Sequence, residues 1–275
     1  MVISDPRDVD DLLNKEKDYE WDYIDDNVLR LKEEEPKITI YFEGVDEGMS
    51  QLSKVKKAME GYDVEYEILD DEDWKDNWKQ YFKPSQISES IVVKPTWQDY
   101  EAKDGELVVE IDPGMAFGTG THETTSLCVK MMEKYMKKGD KVLDVGTGSG
   151  ILSIVAAKLG SEDIMGIEID PVACEVAREN VHLNGVDFVK IKEGDLTKGL
   201  DYRANLVVAN LMADLVMMLS KDVSKHMEDG GIYISSGILN EKVEAVSKVI
   251  KECGFEILEV KEDGMWSVIV GKKNE

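Results

Sequence analysis

Cysteine, histidine and long apolar runs are scarce in this sequence. Its 275 residues include three cysteines and three histidines. Cys128, Cys174 and Cys253 lie far apart in helical patterns, so we expect reduced, buried thiols and no disulfide framework. No apolar run approaches the roughly 20 residues that a transmembrane helix needs, and the first residues lack the pattern of a signal peptide. The sequence therefore predicts a cytoplasmic protein that has no contact with a membrane.

Positive charge is also in short supply. The chain has 58 Asp and Glu residues against 33 Lys and Arg residues, which gives a net charge of -25 at pH 7. Because nucleic-acid-binding proteins neutralise phosphates with Lys and Arg, this balance argues against nucleic acid as the main partner. It is compatible with a basic protein partner, although an excess of acidic residues more often serves solubility, for example in a saline cytoplasm.

The length of the chain favours two domains. Residues 1–72 contain strand-like runs at 37–45 and 62–69 on either side of a helical pattern, which predicts a small α+β domain. Residues 73–95 carry "DWKDNWKQYFKP", a predicted linker helix that ends at Pro84, and a connection. The remaining residues, 96–275, form the third predicted segment.

Strands alternate regularly with helices from residue 122 onward. This alternation predicts an α/β fold with a doubly wound parallel sheet, and the last two strands, "FEILEVKED" and "MWSVIVGKK", predict a C-terminal antiparallel hairpin. Sheets of this kind bind ligands beyond the carboxyl ends of their strands. We therefore expect the loops after "KVLDV", "MGIEI", "VKIKE" and "LVVAN" to converge on one site.

A glycine-rich turn, "VLDVGTGSG", follows the first of these strands. Gly146, Gly148 and Gly150 would let a ligand approach the backbone closely and let the chain turn into the next helix. Their spacing is G-x-G-x-G, which differs from the G-x-G-x-x-G of dinucleotide-binding folds. Taken alone, the turn could also be only a tight connection between a strand and a helix.

Two acidic residues follow the next strands. Glu168 ends "GIE" about 20 residues after Gly146, where an acid can accept both hydroxyls of a ribose; the alternative is a solvated carboxylate at a strand end. Asp170 precedes Pro171 and is expected to cap the following helix. Asp195 follows the third strand, where it could meet the exocyclic amine of an adenine or simply occupy a turn.

Asn210 comes directly after the apolar strand of "VVANL". Its neutral amide could accept a hydrogen bond from an attacking amine, although Asn is also a common helix cap. The stretch "DPGMAFGTGTHETT" lacks a Lys after its glycines, so it does not predict a phosphate loop. We expect it to be a lid, with Thr125 in the first turn of the following helix. His122 has no companion ligands at a recognisable spacing, so we expect local hydrogen bonds at the helix start and no metal.

At these residues the sequence resembles the Rossmann-like S-adenosylmethionine methyltransferases. Within that class, "DPGMAFGTGTHETT", "VLDVGTGSGILSIVAAKLG", "GIEIDP", "VVANL" and "MWSVIVGKK" closely resemble the PrmA family, which methylates ribosomal protein L11. The resemblance covers nearly the whole chain and includes "DWKDNWKQYFKP", which is similar to that family's interdomain link. It implies a seven-stranded Rossmann-like methyltransferase sheet in residues 96–275 and a ferredoxin-like domain in residues 1–72 that recognises the substrate.

The resemblance also implies S-adenosylmethionine as the cofactor. Asn210 is the expected catalytic residue. Expected cofactor contacts lie in the loops and helix start described above: Thr125, Gly146, Glu168, Asn210, Gly148, Asp195, Phe117 and Gly118. The implied reaction is methylation of lysine side chains and of the N-terminal amine of a ribosomal protein by a monomer, without direct nucleic-acid specificity. Two features depart from the family pattern. Glu168 stands where the family often has Asp, which is shorter by one methylene. The chain also begins at a segment inside the family's first domain, so we expect that domain to be shortened.

Other functions fit parts of the same pattern. A methyltransferase could act on another protein or on nucleic acid, although Asn210 is followed by "LMA" and not by the prolines and aromatic residue common in enzymes that methylate bases. The fold could bind the cofactor without catalysing transfer. A nicotinamide-dependent oxidoreductase is favoured only by the glycine turn and the acid after it, and its glycine spacing would differ.

Overall fold

A computed structural model describes residues 2–4, 37–40, 42, 45–62, 64–66, 82–112, 120 and 122–274. The chain divides into two compact units, Met1–Gln80 and Tyr81–Glu275. The segment boundaries expected at residues 72 and 95 stay a prediction.

The first unit contains a strand pair and a helix. Strands β1 (Val2–Ser4) and β2 (Lys37–Thr39) pair antiparallel, and helix α1 spans Val45–Ala58. The run 62–69 fits a strand by its alternating pattern, yet its described residues, 62 and 64–66, form no strand. Most of the predicted linker helix lies outside the described residues, and the ferredoxin-like topology stays a prediction.

The second unit begins with a small sheet. Strand β3 (Ser85–Gln86) pairs antiparallel with β4 (Ile91–Pro95), and β4 pairs parallel with β5 (Leu107–Ile111). Val93 of β4 and Ile111 of β5 are buried in the same apolar core as the helices that follow. The small sheet therefore packs as part of the larger domain.

The rest of the unit is one seven-stranded sheet with helices on both faces. Its strands run in the order β11, β12, β10, β9, β6, β7, β8, and β12 pairs antiparallel with both of its neighbours. The predicted doubly wound Rossmann-like sheet with a C-terminal hairpin is confirmed. In chain order its elements are α2 (Glu123–Tyr135), β6 (Val142–Val145), α3 (Ile151–Lys158), β7 (Ile164–Glu168), α4 (Pro171–Leu183), β8 (Lys190–Glu193), β9 (Ala204–Asn210), α5 (Ala213–Val223), β10 (Met227–Leu239), α6 (Val243–Glu252), β11 (Phe255–Asp263) and β12 (Trp266–Lys273).

The alternation of side chains along each strand separates two apolar cores. In β9, Leu206 and Val208 face the core formed with α2 and α3, whereas Val207 and Ala209 face the core formed with α5 and α6. All four side chains are fully buried, as expected for a parallel strand that is covered on both faces. This burial fixes the strand register and therefore the level at which each strand ends.

Within the described ranges, no helix combines the length and the apolar character that crossing a membrane would require.

Candidate active site

Three adjacent strands end at the same level of the sheet. Val145, the last residue of β6, pairs with Ile167 of β7 on one side and with Ala209 of β9 on the other. The next residues are Gly146, Glu168 and Asn210. The three predicted site residues therefore lie side by side at the carboxyl edge of the sheet, which is the ligand-binding edge of open α/β folds.

The glycine turn after β6 is held by hydrogen bonds to the neighbouring strand. The amides of Gly146 and Thr147 donate to the carbonyl oxygen of Ile167 at 2.8 and 3.0 Å. Gly146, Gly148 and Gly150 have φ values of 75°, 53° and 84°, in the left-handed region that favours glycine. Gly150 caps α3, so the turn presents backbone amides at the start of a helix.

The carboxylate of Glu168 is fixed by three backbone amides. One oxygen, Oε2, accepts a hydrogen bond from Gly148 N at 2.9 Å, and the other, Oε1, accepts from Ile169 N at 2.9 Å and Asp170 N at 3.2 Å. The extra methylene relative to Asp lets the side chain fold back onto its own backbone in this way. Because a carboxylate has about four lone-pair sites and the side chain is half-buried, it keeps capacity to accept a further donor.

Asn210 and Thr125 meet across the site. Thr125 lies in the first turn of α2, as predicted, and its buried side chain faces the end of β9. The Asn210 amide nitrogen donates to Thr125 Oγ1 over 3.4 Å. The contact orients the amide, and among the described residues no donor is hydrogen-bonded to the Asn210 amide oxygen. That oxygen can therefore accept a hydrogen bond from a ligand.

Leu211, which sequence reasoning did not single out, joins the two sides of the site. A Cβ added at Gly146 would lie 2.5 Å from Leu211 Cδ2, and one added at Gly237 of β10 would lie 2.4 Å from the Leu211 carbonyl oxygen. The Leu211 amide also donates to the Ser236 carbonyl at 3.0 Å. The Leu211 side chain therefore fills the space over Gly146, whose φ of 75° also favours glycine. A glycine inside the strand pattern "YISSGIL" is the sequence signal for this close approach.

Below the glycine turn lies a buried carboxylate, Asp144. Its Oδ2 accepts hydrogen bonds from Thr147 Oγ1 at 2.6 Å and Ser153 Oγ at 2.8 Å, whereas its buried Oδ1 has no hydrogen-bond partner in the part of the chain that the structure describes. Burial raises the pKa of Asp144 to about 6, against the opposing effect of the two hydroxyl donors. The cluster ties the glycine turn to the first turns of α3.

A buried amide, Asn180 of α4, connects the turn to the start of the glycine-rich stretch 112–130. The side chain accepts from Asp112 N at 2.9 Å and donates to Asp112 O at 3.1 Å and Ser149 O at 2.9 Å. The two backbones are therefore joined through one side chain. Sequence reasoning did not find this residue, because an Asn in a helix carries no signal for contacts so distant along the chain.

The remaining predicted residues lie at helix starts, in an exposed turn or outside the described residues. Asp170 caps α4 by accepting from Val172 N at 2.9 Å, which confirms its predicted role. His122 accepts from Thr124 N at 3.3 Å, in agreement with the local hydrogen bonds expected at the start of α2. Asp195 is exposed in the turn after β8 and forms an ion pair with Lys198. Phe117 and Gly118, and with them most of the predicted lid, lie outside the described residues. Within the described residues, no group of three or more His, Cys, Asp and Glu side chains has an arrangement suited to a metal ion.

The arrangement matches the chemistry of S-adenosylmethionine. Glu168 offers a carboxylate to ribose hydroxyls beside the glycine turn, where Gly148 adds no side chain. Thr125 and Asn210 add a hydroxyl and an amide oxygen on the other side. These groups are therefore suited to the ribose hydroxyls of an adenosine moiety on one side of the site and to a hydrogen-bond donor on the other.

Known proteins share this sequence and fold. A sequence model of the family described as ribosomal protein L11 methyltransferase (PrmA) matches residues 5–274. The ribosomal protein L11 methyltransferase of Clostridium botulinum (strain Eklund 17B / Type B) is 48% identical over 99% of this chain and 90% of its own length, and that of Clostridium perfringens (strain ATCC 13124) is 42% identical over the same shares.

Solved structures agree with this assignment. The crystal structure of a ribosomal protein L11 methylase from Lactobacillus delbrueckii subsp. bulgaricus aligns with a TM-score of 0.68 and 30% identity, over 70% of this chain and 100% of that chain. A methyltransferase from Pyrococcus furiosus, 14% identical, shares the fold with a TM-score of 0.51 over 84% of this chain and 98% of its own. The predicted class, an S-adenosylmethionine-dependent methyltransferase, is confirmed. Sequence, fold and the order of the site loops lead to one conclusion: the chain belongs to the ribosomal protein L11 methyltransferase (PrmA) family.

Proposed function

We propose that this protein transfers methyl groups from S-adenosylmethionine to amines of ribosomal protein L11, both lysine side chains and the N-terminal amine. The observation that carries the proposal is the Asn210 amide, held by Thr125 at the level of Gly146 and Glu168. Relatives that are 42% and 48% identical are named as methyltransferases of this substrate.

The cofactor side of the site is assigned to Glu168 and the glycine turn. Glu168 accepts the ribose hydroxyls with the lone pairs that Gly148, Ile169 and Asp170 leave available, and the lack of a side chain at Gly148 lets the ligand approach the turn. The bound cofactor supplies a methyl group already activated by its sulfonium. What the protein contributes is therefore position and the exclusion of water.

The amine side of the site is assigned to Asn210. A lysine ammonium has an ordinary pKa of about 10.4 and cannot attack until it loses its proton. The Asn210 amide oxygen accepts a hydrogen bond from the neutral amine and thereby directs the nitrogen lone pair toward the methyl group. A neutral acceptor suits this step, because a carboxylate in its place would stabilise the ammonium form.

Charge supports a protein substrate. The net charge of -25 favours a basic partner and opposes binding to phosphate backbones, so we propose no direct nucleic-acid specificity. We further propose that the enzyme acts as a monomer in the cytoplasm, where its substrate is made.

Methyl transfer from isotope-labelled S-adenosylmethionine tests the substrate. The enzyme is incubated with purified ribosomal protein L11, with total ribosomal proteins and with ribosomal RNA, and each labelled product is mapped by mass spectrometry. We expect label on lysine and N-terminal amines of ribosomal protein L11. Label on RNA alone, or on another ribosomal protein in preference, would contradict the proposal.

Two variants test the residue roles. Glu168→Ala removes a charged acceptor, so we expect the affinity for S-adenosylmethionine to fall about 100-fold in calorimetry. Asn210→Ala should lower kcat by about tenfold to a hundredfold while the cofactor affinity changes by less than about threefold. Glu162→Ala is the matched control, because this exposed acid precedes β7 at the opposite edge of the sheet. Unchanged affinity in the first variant, or full turnover in the second, would reject the corresponding role.

A further inference from the structure

Trp266 lies on the same face and at the same edge of the sheet as Asn210. Leu206 and Val208 alternate with Asn210 along β9, and Val268 and Val270 alternate with Trp266 along β12; these four aliphatic residues all belong to the core under α2, against which Trp266 also packs. The period of two therefore places Asn210 and Trp266 on the α2 side. Both stand at the end of their strand nearest the site, because β12 runs antiparallel to β10.

The first turn of α2 joins the two residues. The ring of His122, the helix cap, lies edge-on to the Trp266 ring, with centroids 5.5 Å apart and an angle of 62° between the planes. Thr125 is three residues further along, on the same side of the helix, and holds Asn210. The aromatic pair and the amide therefore border the same helical turn from two sides.

The β11–β12 hairpin is anchored in a way that fixes Trp266. The Asn240 side chain accepts from Ser267 Oγ at 2.7 Å through Oδ1 and donates to Gly264 O at 3.1 Å through Nδ2. Its backbone N–H donates to Met265 O at 3.0 Å. A single side chain that follows β10 thus bonds to residues on both sides of Trp266. The indole has a defined position and is half-buried, so one part of it stays accessible.

Exposed apolar residues follow both strand ends. Met265 precedes Trp266 and is 44% exposed, and Met212 follows Asn210 by two residues and is 55% exposed. Asp263 lies opposite Trp266 in the β11–β12 pair, where it forms an ion pair with Lys130. Because the indole is half-buried, water competes less for a cation on its face than it would at a fully exposed ring.

We propose that the indole face of Trp266 binds the substrate nitrogen as it becomes positively charged, which makes Trp266 a specificity-determining residue for amine substrates. This inference rests on the proposed methylation of amines. The nitrogen lone pair forms the new C–N bond, the C–S electron pair goes to sulfur, and the nitrogen carries the positive charge until it releases a proton to water. An aromatic face attracts the cation more than the neutral amine, so the interaction strengthens during transfer.

A set of variants tests the role by activity. Trp266→Leu removes the ring and keeps an apolar side chain, and Trp266→Phe restores an aromatic face. We expect Trp266→Leu to lower kcat about tenfold while the affinity for S-adenosylmethionine and the KM for ribosomal protein L11 change by less than about threefold. Trp266→Phe should recover most of the loss. Equal turnover in the two variants would overturn the proposal, as would a loss confined to cofactor affinity. Urea unfolding verifies that each variant is folded, and Trp266→Met replaces the leucine variant if that one is unstable.

A binding measurement separates this inference from the proposed function. Tetramethylammonium is titrated into the wild-type protein saturated with S-adenosylhomocysteine, and the indole N–H signals are followed by NMR; the Trp266 signal is assigned by its loss in Trp266→Phe. We expect the Trp266 signal to shift saturably. Neopentyl alcohol, an uncharged molecule of similar shape, should give no such shift. An unmoved Trp266 signal overturns the inference even if ribosomal protein L11 is methylated, whereas a shift without methylation of that protein supports the cation site and contradicts only the proposed substrate.

Discussion

Replacing the buried Asp144 by Asn should remove one pH-dependent contribution to stability. Burial raises the pKa of this carboxyl from 3.8 to about 6, so the folded protein binds its proton more tightly than the unfolded chain does. The free energy of unfolding therefore falls as pH rises between these two values. The destabilisation caused by ionising the buried carboxyl is fully present above pH 6 and absent below pH 3.8. The full shift corresponds to about 3 kcal/mol, at 1.36 kcal/mol per pKa unit.

The measurable quantity is the difference in the free energy of unfolding between two pH values. Linkage predicts that the free energy of unfolding of the wild-type protein falls by roughly 1 kcal/mol between about pH 5 and about pH 7.5 because of Asp144 alone. The Asp144→Asn variant keeps an acceptor for Thr147 and Ser153 and has no proton to release. Its own change over the same interval should therefore be smaller by this amount.

Urea unfolding of both proteins at both pH values is the assay. The other carboxylates titrate in both proteins, so their contributions cancel in the difference, provided that they are distant from Asp144. The negative charge of Glu168 also raises the Asp144 pKa, and repeating the comparison in a Glu168→Gln background tests that contribution. Equal losses in the two proteins, within about 0.3 kcal/mol, would refute the reasoning.

Two further substitutions test how the site is supported. Gly237→Ala places a Cβ 2.4 Å from the Leu211 carbonyl oxygen at a φ of 82°, so we expect more than about 2 kcal/mol of destabilisation in urea and a fall in kcat. The control Gly254→Ala has a φ of 89° and no atom within 4 Å of the new Cβ, so it should show only the smaller cost of backbone strain. Equal effects would show that the Leu211 contact is unimportant. Asn180→Ala removes the side chain that accepts from the Asp112 amide and donates to the Ser149 carbonyl, so we expect about 1 to 3 kcal/mol of destabilisation in urea; a variant as stable as wild type would contradict this.

The sequence predicted the sheet and its ligand edge because those features follow from periodic patterns. Apolar strands alternating with amphipathic helices allow few arrangements, and parallel strands bring their carboxyl ends to one edge. Gly146, Glu168 and Asn210 each follow such a strand, so their proximity followed from topology alone. The roles of His122 and Asp170 followed from local capping chemistry, which involves only the next few residues.

Contacts between residues far apart in sequence could not be predicted in this way. Gly237 is needed because Leu211 passes over it, and Asn180 is needed because Asp112 and Ser149 meet there. Trp266 was noted only within a family motif, since its neighbour His122 lies at the other end of the domain's sequence. Each of these positions depends on the packing of a third element, which a pattern in one segment does not encode.

The position of Leu211 between Gly146 and Gly237 has a consequence for the divergence of such enzymes. Its side chain occupies the space left by one glycine, and its carbonyl occupies the space left by the other. A larger residue at Gly146 is therefore accommodated only with a smaller side chain at residue 211, whereas a larger residue at Gly237 meets the backbone of residue 211, which every residue type has. We expect Gly146 and residue 211 to vary together among relatives and position 237 to stay glycine, so that the cofactor loop and the amine-binding loop are inherited as one unit.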